Sequence, residues 1–314
     1  MMRAMMRPCP ARSRGMTLPE MLVALAIGLA VLLGAGHLLV LANSAYAAQM
    51  ELAAMDDGGR YALELVARAL RQAAATDPDS LLAAGADAAP ARIAGLDARS
   101  VGRTTPGIEE PSADAVGGSD VLAVRFPGSG PVPDGDGSSV DCAGFTVAGG
   151  EEGWSIFHVA RNSQGEAELR CKYRGNANWS ADAIVAGVDG FQVLYGIDTD
   201  EPRDGAPNRY VNADAVRALD AALGTADEQE LRRRTWWKRL VSVRIGLLLH
   251  GARATRTRPG DADYALLGPA YGESAEAGAA DAGSVLREAA MTPDMRLRER
   301  RLFTMTVALP VLAP

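Results

Sequence analysis

The sequence contains little that would serve catalysis, metal binding or nucleic-acid binding. Only 5% of the 314 residues are aromatic, and the three histidines, His37, His158 and His250, lie far apart in sequence. No nucleophile elbow, phosphate-binding glycine loop or zinc-binding helix is recognisable. The net charge of −7 argues against nucleic acid as a partner of this chain alone, because phosphate binding requires a basic face. Nothing in the sequence supports an enzyme, and no cofactor is implied.

A long apolar run near the N-terminus is the most distinctive feature. From Met16 to Ala42 the only charged residue is Glu20, and these 27 residues exceed the about 20 that a spanning helix needs. Four arginines and no acidic residue precede the run, which favours a cytoplasmic leader and a translocated remainder. A lone carboxylate at membrane depth is costly, so Glu20 is a candidate functional residue.

Three interpretations of this run compete. A secretory signal peptide could end at Ala47 in "NSAYAAQ", but its apolar region would be far longer than the usual roughly 7–15 residues. A plain uncleaved anchor explains the length of the run and leaves Glu20 unexplained. The third interpretation explains both the length and the carboxylate.

The stretch "RGMTLPEML" resembles the type IV prepilin processing site, in which a basic leader ends in glycine and glutamate is fifth in the mature chain. The resemblance implies that prepilin peptidase cleaves between Gly15 and Met16 and that the new amino group of Met16 is methylated. In an assembled bundle, Glu20 would then neutralise the amine of a neighbouring subunit, and a paired buried charge is tolerable. Pro19 departs from the commoner aliphatic residue there, at little cost in a first helical turn.

The apolar helix is predicted to continue as an amphipathic one. Small and apolar residues recur every three or four positions over residues 44–76, and Pro78 follows as a breaker. The predicted stripe consists of Leu52, Met55, Gly59, Ala62, Val66, Leu70 and Ala73. The pattern predicts one helix of roughly 60 residues, with 16–43 spanning the membrane. A separate anchor followed by an ordinary core helix is an alternative that the pattern alone does not distinguish.

Residues 77–314 are predicted to form a periplasmic α+β domain, with the long N-terminal helix packed on a mainly antiparallel sheet. Strands are predicted at 120–126, 154–161, 167–174, 191–197, 239–250 and 301–309. Residues 76–119 and 251–300 are predicted to be loop-rich surface insertions, the second with a short helix near 284–290.

Several motifs, taken in order, resemble the PilW family of minor pilins. They are "DDGGRYALELVARALRQA", "GSDVLAVRF", "GVDGFQVLYGIDTD", "WWKRLVSVRIGLLL" and "RRLFTMTVALPVL". The resemblance implies a low-abundance pilus subunit that primes assembly with other minor pilins and lies at the fibre tip, helping to display an adhesin. It also implies contact with the major pilin and the inner-membrane assembly machinery. The chain would be a single-pass protein of the bacterial inner membrane with its C-terminal domain in the periplasm.

The cysteines fit this compartment. Cys9 lies in the predicted leader, so Cys142 and Cys171 remain as a pair where disulfides persist. A structural disulfide is predicted, and two buried thiols or a metal site are the alternatives.

An acidic segment, "YGIDTDEPRDGAPNRY", brings together Asp198, Asp200 and Asp204. Calcium prefers such oxygen ligands, but Pro202 and Arg203 interrupt the spacing and no bidentate glutamate follows. A solvated acidic hairpin is favoured over a calcium site.

The segment "ELRRRTWWKRL" places two tryptophans among basic residues, which could stack on nucleic acid or lie at a membrane surface. We favour tryptophans that begin the next strand and pack there, with the arginines solvated.

Two alternative functions remain open at this stage. A J-type pseudopilin of a type II secretion system would use the same helix and processing site in another machine. A membrane-anchored periplasmic enzyme or calcium-binding protein would belong to a different class altogether.

Overall fold

The structure, a computed structural model, describes residues 15–75, 88–175, 178–274 and 281–310. The chain divides into two compact units, residues 1–50 and 51–314. The helix α1 (Leu18–Ala74) contributes to both units. Among the described residues it is the one helix that is long and apolar enough to cross a membrane.

In the first unit, α1 is apolar on every side. All side chains from Met16 to Tyr46 are exposed, and only Glu20 interrupts the apolar run with a charge before Ala42. A helix that is apolar all round is normally covered by a protein core or by lipid. This half of α1 therefore needs a membrane or other helices around it.

In the second unit, α1 buries one stripe of side chains against the sheets. Of the predicted stripe, Leu52 is half-buried and the other six residues are buried, which confirms the 3.6-residue period. Burial of each large aliphatic side chain contributes roughly 1.5–3 kcal/mol. On the exposed face, the spacing of four residues favours an ion pair between Glu64 and Arg68. In the structure Glu64 instead pairs with Arg71, at 3.3 Å.

The described residues form thirteen strands and, after α1, two further helices of more than one turn. The strands are β1 (Ile93–Leu96), β2 (Ser100–Val101), β3 (Pro111–Ser112), β4 (Val121–Pro127), β5 (Glu152–Arg161), β6 (Ala167–Arg174), β7 (Trp179–Ala186), β8 (Val188–Ile197), β9 (Arg209–Val211), β10 (Leu240–Ala254), β11 (Asp263–Ala265), β12 (Val285–Arg287) and β13 (Arg298–Ala308). The helices are α2 (Ala213–Ala221) and α3 (Glu228–Arg234). Single α-helical turns lie at Pro269–Gly272 and Pro293–Arg296, and 3₁₀ turns lie at Val116–Gly118, Trp236–Arg239 and Glu288–Ala290.

Two antiparallel sheets make up most of the second unit. One has the strand order β1-β4-β5-β6-β7 and the other has the order β13-β10-β8-β9. The chain passes from the first sheet to the second at Gly187, whose φ of 78° favours glycine. Its N–H donates to the carbonyl of Ala167, and its carbonyl accepts from the N–H of His250. A side chain at this corner would overlap the His250 carbonyl.

The inner faces of both sheets and the buried stripe of α1 form one hydrophobic cluster. The helix reaches the edge strands β7 and β13 through two adjacent glycines. A Cβ at Gly58 would lie 2.9 Å from the side chain of Val185, and one at Gly59 would overlap the ring of Phe303. The helix α2 packs against β1 and β8. The architecture is the mixed α+β fold that the sequence predicts.

All six predicted strands are present, but the structure corrects both predicted insertions. Within 76–119, strand β1 joins the five-stranded sheet and buries Ile93 and Leu96, so this segment is only partly a surface excursion; residues 76–87 lie outside the described ranges. The helix predicted near 284–290 is wrong. That segment is strand β12 followed by one 3₁₀ turn, because Glu288 turns inward to meet Arg256 and Arg300.

Candidate assembly interface

The start of α1 is organised by a hydrogen-bonded box. Thr17 precedes the first helical residue, and its carbonyl accepts from the N–H of Met21 at 3.1 Å. The carboxylate of Glu20 turns back, and its Oε2 accepts from both the backbone N–H and the hydroxyl of Thr17, each at 2.9 Å. Pro19 occupies the first turn, where its missing N–H costs nothing. The "TLPE" sequence thus serves as an N-terminal capping motif.

This capping arrangement leaves part of Glu20 free. Among the described residues, only Oε2 of its carboxylate accepts a hydrogen bond, and the side chain lies on an exposed apolar helix. The Gly15–Met16 peptide bond is also exposed, four residues before Glu20. A charged oxygen on an apolar surface is costly once that surface is covered, unless a cation reaches it. Oε1 is therefore the oxygen of Glu20 that remains accessible to a cation.

Further along the same half of α1, small residues are open to close approach. A Cβ at Gly28, Gly34 or Gly36 would meet no atom of the described residues within 4 Å, apart from the backbone of its own helix. His37 is exposed on this half of the helix. Small residues let helices pack backbone to backbone in a membrane, so this half of α1 suits helix–helix contact.

The second half of α1 is held to the domain by two charged side chains. The carboxylate of Glu51 accepts from the backbone N–H of Ala252 and from that of Arg253, the latter at 3.1 Å. Asp56 pairs with Arg301 of β13 at 2.7 Å. These contacts fix the helix to β10 and β13 where the second unit begins.

Cys142 and Cys171 form a disulfide with a Cα–Cα distance of 5.8 Å. It joins the loop that follows β4 to the middle of β6, and both residues are buried. The bond ties down a glycine- and proline-rich loop that has little hydrophobic content of its own. The predicted pair is therefore bonded in the structure.

The acidic segment forms a tight turn after β8. The carboxylates of Asp198, Asp200 and Asp204 offer ligand atoms within 4.8 Å of one another. Asp198 accepts from the N–H of Asp200 at 3.0 Å and from that of Gly205 at 2.8 Å. Burial raises the pKa of Asp198, but these backbone hydrogen bonds outweigh it and the net pKa is lowered. The carboxylates organise the turn, and they are also the described group best placed to hold a cation.

The tryptophans of "ELRRRTWWKRL" pack as predicted. Trp236 and Trp237 lie in a 3₁₀ turn just before β10 and pack, partly buried, against the main hydrophobic cluster. Trp237 meets the ring of Tyr195 edge-on at 4.9 Å, and the guanidinium of Arg239 lies 4.9 Å above the ring of Trp236. The aromatic faces are thus engaged within the protein rather than offered to a ligand.

A buried charged network that sequence reasoning missed joins the insertion after β10 to the sheets. His250 Nε2 lies 2.7 Å from Glu166, and its Nδ1 lies 2.9 Å from Asp189. Arg300 bonds Asp189 at 2.7 Å and Glu288 at 3.2 Å. Charged residues inside β-prone runs were the available signal, but their partners are 12 to 111 positions away.

A helix that is exposed and apolar over its first half, and packed on antiparallel sheets over its second, defines a pilin-like protein. The family model for Type IV Pilus-assembly protein W matches residues 156–310, and that for the prokaryotic N-terminal methylation motif matches residues 10–36. The two matches together are those of a PilW-family type IV pilin. The chain is thus a structural component of a pilus, and its methylation motif and apolar helix fit a membrane anchor.

Comparison with solved structures finds the type IV-like pilin TTHA1219 from Thermus thermophilus. The two chains share 14% identity, with 81% of this chain and 96% of that chain covered and a TM-score of 0.36. No curated protein matches the sequence.

Proposed function

We propose that this chain is a minor pilin that acts in the priming complex of a type IV pilus and takes its place at the pilus tip. Prepilin peptidase would cleave between Gly15 and Met16, and the new amino group of Met16 would be methylated. The observation that carries the proposal is the exposed apolar first half of α1 with Glu20 as its one carboxylate. Family membership supports a pilus over the related secretion machine of the J-type alternative.

The proposed role of Glu20 is to register one subunit against the next. Cleavage creates a cationic amine at Met16, and Glu20 Oε1 is available for the amine of a neighbouring subunit while Oε2 keeps its bond to Thr17. A subunit displaced along the helix axis would bury an unpaired carboxylate, at a cost of several kcal/mol. Charge pairing would therefore select one axial position.

The proposed partners follow from this arrangement. Residues 16–43 would contact other minor pilins and the major pilin, first in the inner membrane and then in the fibre. The basic leader supports an orientation with the second unit in the periplasm. The inner-membrane assembly machinery would recruit the processed subunit, and the exposed surface of the second unit would face a tip adhesin.

The first test is the intact mass and the N-terminal residue of the protein taken from the membrane fraction. A chain that begins at N-methylated Met16 would support processing by prepilin peptidase. A chain that keeps its leader would be a plain membrane anchor, and one that begins at Ala48 would be a secreted periplasmic protein. Either of these results would overturn the proposal.

A further inference from the structure

Three carboxyl groups lie together near α2. Asp97 follows β1, Asp120 precedes β4, and Asp281 precedes β12 in the chain. Each of the three residues is at most 7% exposed. The carboxyl of Asp97 is within hydrogen-bonding reach of those of both Asp120 and Asp281. Three ionised carboxylates in such a place would repel one another without water to screen them.

Neutral donors, not cations, hold the cluster. The side-chain amide of Asn212, which caps α2, donates to Asp97 Oδ2 at 2.7 Å and to Asp281 Oδ1 at 3.3 Å. Tyr271 donates its hydroxyl to Asp281 Oδ2 at 2.7 Å. No ion pair among the described residues includes any of the three aspartates.

Two backbone N–H groups donate to the carboxylate of Asp120. Its Oδ1 accepts from the N–H of Ala98 at 3.0 Å, and its Oδ2 accepts from the N–H of Val193 at 2.8 Å. Asp120 therefore joins the end of β1 to β8 as an acceptor. The polar atoms of the cluster that lack a hydrogen-bond partner among the described residues belong to Asp97 and Tyr195.

Two polar atoms in the cluster have no hydrogen-bond partner among the described residues. Asp97 Oδ1 and the hydroxyl of Tyr195 are both buried and unpaired, and Tyr195 is 1% exposed. The Tyr195 hydroxyl lies against Gly95, two residues before Asp97, and burial together with the charges of Asp120 and Asp97 raises its pKa. A buried carboxylate oxygen without a donor is costly, and a proton on it would supply the donor that is missing.

The donor set favours a proton over a metal ion in this cluster. The Asn212 amide and two backbone N–H groups point at the carboxylate oxygens and occupy lone pairs that a metal would need. The described carboxylates that approach one another closely enough to share one ion are those of the Asp198 turn.

We propose that Asp97 holds a proton in the folded protein and donates it to a neighbouring carboxylate of Asp120 or Asp281, forming a pH-sensitive latch. The latch fastens α2 and the insertion that carries Tyr271 and Asp281 to the ends of β1 and β4. Loss of the proton leaves adjacent buried anions and loosens this attachment. The device lies outside the α1 interface and is independent of the proposed function.

The surrounding charges act in the direction that this proposal requires. Burial, followed by the charge of Asp281, raises the pKa of Asp97 to about 7, and Asp214 of α2 adds to the effect. Burial and the charge of Asp97 raise the pKa of Asp120 well above its ordinary value. Arg217 is the nearby cation of α2, and it pairs with Asp214.

The sign of the pH effect follows from linkage. The pKa of Asp97 in the folded chain lies above its unfolded value, so the folded state binds more protons between about pH 4 and pH 7. The contribution of Asp97 to stability is therefore largest in acid and falls as pH rises to about 7. Each pH unit in this window lowers the folding equilibrium constant about tenfold.

The test is urea unfolding of the full-length chain in detergent micelles, followed by tryptophan fluorescence from pH 5 to pH 8.5. All four tryptophans lie in the second unit, so the signal reports on that unit. Asp97→Asn replaces the protonated acid with a neutral amide of the same shape. We expect the ratio of wild-type to variant folding constants to fall about a hundredfold between pH 5 and pH 7 and then to level off. The exposed Asp134→Asn serves as the matched control and should retain the wild-type pH profile.

Infrared spectroscopy provides a readout that does not depend on the variant folding. Wild-type protein at pH 6 should show the C=O band of a buried carboxylic acid, and the band should weaken between pH 6 and pH 8.5 as Asp97 loses its proton. Absence of the band at pH 6, or a pH-independent ratio for a folded Asp97→Asn, would overturn the proposal. Saturable stabilisation of the wild type by calcium or magnesium that Asp97→Asn abolishes would also overturn it, because the cluster would then be a cation site.

Discussion

Glu20 accepts two hydrogen bonds from Thr17, one from the backbone N–H and one from the hydroxyl, each at 2.9 Å. The carboxylate that is proposed to pair with a neighbouring subunit thus also caps its own helix. An N-terminal cap contributes roughly 1 kcal/mol, whereas breaking a buried ion pair costs roughly 3–5 kcal/mol. The two roles of Glu20 can therefore be separated by substitution.

Glu20→Gln should distinguish capping from charge pairing. Glutamine can still accept from the Thr17 N–H, but it carries no charge for a partner's amine. We expect Glu20→Gln and Glu20→Ala alike to insert in the membrane and to lower co-purification with other minor pilins more than tenfold. Thr17→Val, which loses the hydroxyl and keeps the charge, is the control and should retain most of the binding. Recovery of the Gln variant at the wild-type level would mean that capping is the whole role of Glu20.

The contact between Gly59 and Phe303 should limit what the helix tolerates at that position. Alanine is normally a better helix former than glycine, but a Cβ at Gly59 would overlap the Phe303 ring. We expect Gly59→Ala to lower the free energy of unfolding by about 1–3 kcal/mol, measured by urea unfolding in micelles. Adding Phe303→Leu should recover part of the loss. Additive effects of the two changes would show that the residues do not compete for space.

His158 should make the second unit sensitive to acid. Burial, followed by the charges of Lys172 and Arg170, lowers the pKa of His158 to about 4. The unfolded chain then binds more protons than the folded chain between about pH 4 and pH 6.5, so stability falls as pH drops through that window. The full effect is about 3 kcal/mol.

The measurement is the difference in stability between wild type and His158→Gln at pH 7 and at pH 4.5. The difference between the two proteins is needed because the proposed protonation of Asp97 stabilises the fold as pH falls, whereas His158 destabilises it, and the two pH ranges overlap. The glutamine variant should gain relative to wild type in acid. An unchanged difference would show that His158 is protonated in the fold without penalty.

Removal of the disulfide should destabilise the second unit. The bridge joins residues 29 positions apart, and closing a loop of that length contributes roughly 3–4 kcal/mol through the unfolded chain. We expect Cys142→Ser with Cys171→Ser to lower the urea midpoint, and reduction of the wild type to have the same effect. Cys9→Ser is the control, because Cys9 precedes the predicted cleavage site. Equal midpoints with and without reductant would mean that the bond contributes nothing.

The acidic turn offers a test of the calcium alternative. Asp198 is buried and accepts two backbone N–H groups, so Asp198→Ala should lower the urea midpoint whether or not calcium is present. Asp204→Ala, at an exposed position of the same group, should have a smaller effect. Saturable calcium binding by the full-length chain that both substitutions abolish would establish a metal site and reopen the calcium-binding alternative.

Local sequence patterns predicted those elements whose conformation is decided by residues close together in the chain. The apolar run follows from the absence of charge between Met16 and Ala42 apart from Glu20, and the buried stripe from Met55 to Ala73 follows from its helical period. The six predicted strands are likewise alternating or continuous β-prone runs. Strand β7 was missed because "WSADAIVA" mixes alanine and aspartate with few β-branched residues, and its pairing with β6 overrides that weak propensity.

Contacts between charged residues that lie far apart in the chain could not be predicted from the sequence. Glu288 belongs to a segment with helical propensity, yet burial against Arg256 and Arg300 places it in a turn after strand β12. The cluster of Asp97, Asp120 and Asp281 brings together residues that are up to 184 positions apart in the chain. No spacing rule predicts such a contact.

The amino-acid sequence was enough to predict an apolar segment with one carboxylate near its start, followed by a segment with one buried face; that the two segments form one continuous helix is a finding of the structure. The sequence also determined the family, because the processing motif and the ordered strand motifs are local patterns. Which strands the helices contact, and which buried charges face one another, became known from the three-dimensional fold. The physical reason is that hydrophobic periodicity acts between neighbours in sequence, whereas the energy of a buried charge depends on groups that only folding brings together.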